Sequence, residues 1–92
     1  MAIDAVFKCP YSKSEARAKL SKYIYAEEEE YGGLILNCSG KFAWAYYEID
    51  YETGVHDSLL SIKFSHDFSQ EELVLFIEEL SSLGFIPDQL PV

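Results

Sequence analysis

Basic residues are few in this 92-residue chain. Seven Lys and Arg stand against sixteen Asp and Glu, for a formal net charge of −9. A field of that sign repels nucleic acid over most of a surface and attracts a basic protein. Cysteine is as thin. Cys9 and Cys38 close at most one disulfide, and there is no CxxC pair or Cys/His cluster, so neither a disulfide-stapled scaffold nor a structural metal is expected. Both thiols are expected as small buried side chains of a cytoplasmic protein. The chain opens on no apolar leader, and no apolar run reaches the roughly 20 residues of a membrane span. A glycine-rich phosphate loop, a nucleophile elbow and a metalloprotease helix motif are also missing, and with them the usual reasons to expect a cofactor.

What the chain does have is aromatic mass. Seven Tyr, six Phe and Trp44 make up 15 % of its residues. Large apolar side chains offset the entropy of ordering a chain, so a folded domain is expected, and 92 residues is a one-domain length. The few charges of the minority sign are unevenly spread. Residues 1–23 carry five basic groups (Lys8, Lys13, Arg17, Lys19, Lys22) against Asp4 and Glu15, a net +3; the rest carries Lys41 and Lys63 against fourteen acids, a net −12.

Ile3 to Cys9 alternates as a strand, which Pro10 ends. Ser12 and Glu15 match a capping box opening a helix over about Lys13–Tyr25, with Ala16, Leu20, Tyr23 and Ile24 on its apolar side. After the Glu27–Glu30 run, a strongly β stretch extends from Tyr31 to Ser65. Two turns break it, Asn37-Cys-Ser-Gly40-Lys41 and Tyr51-Glu-Thr-Gly54-Val55. Read as three-residue loops with a left-handed glycine, they pair Asn37 with Lys41 and Tyr51 with Val55. One sheet face then gathers Leu36, Phe42 and Phe64, with Leu34, Trp44 and Ile62 beside them, as the core. The opposite face gathers Tyr47, Ile49, Tyr51 and Leu59. A second capping box, Ser69 to Glu72, opens a helix over about Gln70–Leu83, stopped by Gly84 and Pro87. The expected class is α+β, in the order β-α-β-β-β-α, with a mainly antiparallel four-stranded sheet and two helices on one face.

Catalysis finds little support. His56-Asp57 and His66-Asp67 are adjacent pairs, and neighbours on a strand point to opposite faces, so neither pair is an oriented couple. Together with Cys38, these histidines are the only candidates, and no enzyme is expected. The β-β-β-α tail superficially resembles a double-stranded-RNA-binding domain. Its final helix, however, starts with Ser69, Gln70, Glu71 and Glu72 where such domains are basic, so direct nucleic-acid binding is not expected.

Protein binding is better supported. Tyr47, Ile49, Tyr51 and Leu59 leave an apolar-aromatic patch on the outer sheet face, unless Phe85–Val92 covers it or the chain dimerises through it. Asp50, Glu52 and Asp57 crowd one hairpin end, and Glu28, Glu29 and Glu30 form a second acidic cluster. Aromatic anchors ringed by carboxylates suit a basic partner, such as a toxin domain or a nucleic-acid-processing enzyme. In this general character the chain resembles the small acidic immunity proteins that neutralise bacterial toxins, often basic nucleases. Phage-encoded inhibitors, such as anti-CRISPR and DNA-mimic proteins, share that character. The resemblance involves no shared motif and carries no residue's role over to this chain. It implies occlusion of the partner's active site or substrate surface, without catalysis.

Overall fold

The computed structural model describes residues 3–28, 33–49 and 58–90, with the side chains of Glu28 and Ile49 outside that description. Among these residues six strands and two helices follow in the order β1 (Ile3–Cys9), α1 (Lys13–Lys19), β2 (Ile24–Glu28), β3 (Gly33–Cys38), β4 (Lys41–Ile49), β5 (Ser58–Phe64), α2 (Gln70–Ser82) and β6 (Ile86–Gln89). The strands form one antiparallel sheet in the order β2-β3-β4-β5-β1-β6. The expected α+β class, antiparallel sheet and two helices are all present. Two edge strands are added to the four expected.

Both additions arise where long-range pairing wins over local pattern. The Ser12 side chain caps α1 through the Glu15 amide. The helix stops at Lys19, six residues before the expected end. A 3₁₀ turn at Ser21–Tyr23 follows, and then the β-branched and aromatic pair Ile24-Tyr25 joins β3. Tyr25 is the extra residue of a bulge between Ile24 and Ala26. At the other end, Ser69 and Glu72 make the full capping box of α2 as expected. Gly84, at φ +102°, turns the chain back, and the buried Phe85 anchors it. Ile86–Gln89 then pairs along β1. Pro87 is tolerated there because β6 is the edge of the sheet, with β1 on one side of it. A Cβ at Gly84 would run into the Tyr11 hydroxyl, which donates to the Leu83 carbonyl at 2.8 Å. That contact ties the start of α1 to the end of α2.

The largest departure from expectation is a register. The β3–β4 turn is a two-residue loop, with Ser39 at φ 58° and Gly40 at φ 90°, the left-handed pair of a type I′ hairpin. The Asn37 Oδ1 accepts the Gly40 amide at 2.8 Å and helps hold that geometry. Cys38 therefore pairs with Lys41 and Leu36 with Ala43, one residue off the expected three-residue loop. On the other side of β4, Ala43 pairs with Phe64 and Tyr47 with Leu60, again one residue off. The turn expected at Tyr51–Val55 lies outside the described residues. Because side chains alternate, a one-residue slip turns a whole strand over. Ala43, Ala45 and Tyr47 face the helices, while Phe42, Trp44 and Tyr46 face away.

The core takes the helix-side positions: Ala5, Phe7 and Cys9 of β1, Leu36 of β3, Ala43 and Ala45 of β4, and Leu60, Ile62 and Phe64 of β5. They pack with Ala16 and Leu20 at α1, Leu73, Phe76, Ile77 and Leu80 of α2, and Phe68 and Phe85. Phe64 meets Phe68 and Phe76 edge-on, at ring centroids 5.1 and 5.9 Å apart. With this much aromatic volume already beneath the helices, alanines on β4 let them approach the sheet. A side chain as large as Phe42 at the fully buried Ala43 position would overfill it.

Candidate binding surface

The side of the sheet away from the helices is built in rows by the pairing. Ala26, Ile35, Trp44, Lys63 and Asp4 run across five strands in one row. Tyr46, Ser61, Val6 and Gln89 make the next, and Glu48, Leu59, Lys8 and Ile86 the third. Phe42 sits opposite Asn37 at the hairpin end. The bulge aims Tyr25 over Phe42, edge to face at 5.2 Å between ring centroids. Tyr25 is 67 % exposed and Phe42 36 %, whereas Trp44, Tyr46, Ile35, Leu59 and Val6 are half-buried against one another. Neither helix lies over this face. Of the covering segment expected over Phe85–Val92, residues 86–89 do not lie there either: they extend the sheet in its own plane.

Gly33 has a steric reason to be glycine. A Cβ there would sit 2.6 Å from the Tyr46 ring. The bare backbone lets the Tyr46 ring lie down across β3.

The sequence expectation for this surface is corrected at its centre. Tyr47 faces the helices. Its hydroxyl lies 3.0 Å from the Tyr11 carbonyl and 2.7 Å from the Ser58 Oγ. Its single proton goes to the carbonyl, which can only accept, and Ser58 donates in return. Tyr47 is thus a satisfied strut that fixes the loop before α1. Leu59 is on the outer face as expected. Ile49 and Glu28 are placed only by their backbones, at the ends of β4 and β2. Asp50, Tyr51, Glu52, Asp57, Glu29 and Glu30 lie outside the described residues, as does His56.

The aromatic residues that sequence reasoning placed in the core, Phe42, Trp44 and Tyr46, are the ones the fold turns outward. One signal pointed this way. Lys41 shares its strand parity with Ala43, Ala45 and Tyr47, and it reaches α2, where its ammonium pairs with the Glu72 carboxylate. A helix-facing lysine at the strand end fixes which side the alanines take.

Of the other chemistry-bearing groups, burial pushes the Cys38 thiol up to about 12 and raises that of Cys9 as well. Neither supplies a thiolate at neutral pH. The Lys41 ammonium, and then the Ser69 amide and hydroxyl, hold the Glu72 carboxyl down at about 2. His66 is exposed in the turn before α2. No group of three metal-ligating side chains occurs among the described residues, and no described helix is long and apolar enough to cross a membrane. No family model matches the chain, and neither a curated protein nor a solved structure matches it.

Proposed function

We propose that this chain works by binding another protein through the open sheet face. Phe42, Trp44, Tyr46 and Tyr25 form its anchors, and Ile35 and Leu59 its apolar floor. The observation that carries this reading is the orientation of β4: a strand that buries alanines and presents Phe, Trp and Tyr to solvent spends its most adhesive residues on the outside. Aromatic side chains dominate the energetic centres of protein interfaces, and a contiguous apolar face of this kind marks an interaction site.

The partner we infer is a basic protein, and the action inhibitory: occlusion of the partner's active site or substrate surface, as in immunity to a nuclease-type toxin. The net charge of −9 supports this, because long-range attraction speeds encounter with a cationic surface, while burial of the aromatic anchors governs dissociation. The acidic residues of 48–57 and 28–30 follow in sequence from the strands that carry the face, so they suit a rim around it.

The test is affinity capture from the native host with the wild-type chain and with Trp44→Ala/Tyr46→Ala. One basic protein should be retained by the first, lost with the second, and inhibited by added wild-type chain. Equal capture by both would remove this face from the interface. Sedimentation of the pure chain separates self-association: a dimer that dissociates in the double variant would assign the face to a second copy of the chain.

A further inference from the structure

A second surface feature lies on the helix side of the sheet. Between α1 and the inner face of β3 and β4 is a hollow of about 680 Å³, within the span of about 300–1,000 Å³ typical of small-molecule sites. We propose that it binds a single-chain amphiphile with an anionic head, of the class of a medium-chain fatty carboxylate.

The hollow is a consequence of the β4 register. Ala45 on β4 and Ala16 on α1, both almost fully buried, line its floor with only methyl groups, and Leu20, Leu34 and Leu60 complete an apolar wall. Had Trp44 pointed this way, its ring would occupy the space. The Tyr47 hydroxyl is already taken up by the Tyr11 carbonyl and Ser58, so Tyr47 offers the hollow its ring. No buried side-chain polar atom among the described residues lacks a partner. The interior thus has nothing to match a polar group, and the buried part of a ligand must be hydrocarbon.

The mouth has the opposite character. It is framed by Ser12, Lys13, Ser14, Arg17 and Glu27. Arg17 and Glu27 are paired with each other across it, from α1 to β2. Lys13 is exposed and has no ion-pair partner among the described residues. Among the described residues that frame it, the mouth thus carries two cations against one carboxylate, on a chain that is strongly acidic in total, and Lys19 lies just beyond it along the chain. An apolar hole with a cationic rim selects an apolar tail carrying an anionic head, and it disfavours the matching cation. This gives the basic segment around α1 a task that the aromatic face on the other side of the sheet does not.

The test is calorimetric titration of the full chain with octanoate, decanoate and dodecanoate below their micelle concentrations, with methyl NMR on Ala16 and Ala45. Saturable one-to-one binding is expected, tightening up to about fourfold per added methylene until the hollow is full. The Ala16 and Ala45 methyl signals should shift. Lys13→Glu should weaken decanoate about tenfold and leave decanol unchanged, and decylamine should bind more weakly than either. Ala45→Trp, which puts into the hollow the ring that the register keeps out of it, should abolish binding while circular dichroism remains native. If that variant misfolds, Leu34→Trp fills the same space from β3. Absence of saturable binding at every chain length would overturn the proposal. So would binding that survives a folded filled variant, or shifts confined to Trp44 and Tyr46, which would place the amphiphile on the outer face. Absence of binding in the hollow leaves the protein-binding reading standing, because that reading rests on Trp44 and Tyr46 on the other face of the sheet.

Discussion

The two faces of one strand differ more than the two ends of the molecule. β4 carries Ala43 and Ala45 toward the helices and Phe42, Trp44 and Tyr46 away from them. Elsewhere in the sheet the rule is the familiar one: β1 and β5 turn Phe7, Leu60, Ile62 and Phe64 inward, and Asp4, Lys8, Ser61 and Lys63 outward. A central strand with its size pattern reversed shows that side-chain bulk does not by itself choose the core face. The space beneath the helices chooses. The bulk left outside is then available for another molecule.

The largest effect that separates the faces should come from truncation. Phe7→Ala empties a fully buried site and should cost about 3–5 kcal/mol in urea unfolding. Trp44→Ala, though it removes more atoms, should cost below about 1.5 kcal/mol, since its ring is half-exposed. Similar losses for both would contradict the orientation of β4.

Enlarging the inward alanines sharpens the contrast along the strand itself. Ala43 is fully buried against Leu36 and Phe64, so Ala43→Leu should overpack the core by about 1–3 kcal/mol. Ala45 borders the hollow, so Ala45→Leu has room for its extra carbons and should cost clearly less in the same denaturation series. On the outer face, Gly33→Ala pushes the Tyr46 ring aside and should cost about 1–2 kcal/mol. Most of that should be recovered in the Gly33→Ala/Tyr46→Ala double variant, a coupling that a double-mutant cycle reads directly.

The smallest effect is electrostatic and reports on the lysine that marks the helix-facing side of β4. Because the folded-state pKa of Glu72 is depressed, its contribution to stability is present above its ordinary value near 4.5 and is lost as pH falls toward about 2. Lys41→Met should raise the Glu72 pKa toward its ordinary value in an NMR titration and flatten that part of the acid limb. An unmoved Glu72 would show that Lys41 does not reach α2.

Much of the fold was legible in the sequence because local signals agreed with tertiary ones. Ser69, Glu72 and Gly84 bound α2, and the alternation of β1 and β5 matches their burial. The spacing of Tyr23 and Ile24 suits a helix that runs on to Tyr25, whereas a 3₁₀ turn ends at Tyr23 and pairing with β3 makes Ile24 and Tyr25 the start of an edge strand. The surface was misread through one turn. Asn37-Cys-Ser-Gly-Lys fits a three-residue loop if Ser39 stays at negative φ. It closes in two residues once Ser39 accepts the left-handed region, a choice that the hairpin's twist and the Asn37 side chain settle. A single residue of register moved Tyr47 inside and Trp44 outside.

Trp44 is the chain's one tryptophan, so its surroundings test the outward face most directly. In a nuclear Overhauser spectrum of the free chain, the indole protons should contact the side chains of Ile35 and Lys63 and none on α1 or α2. Contacts from the indole to Leu34, Ile62 or Leu80 would place Trp44 in the core and remove the aromatic surface on which the binding function rests.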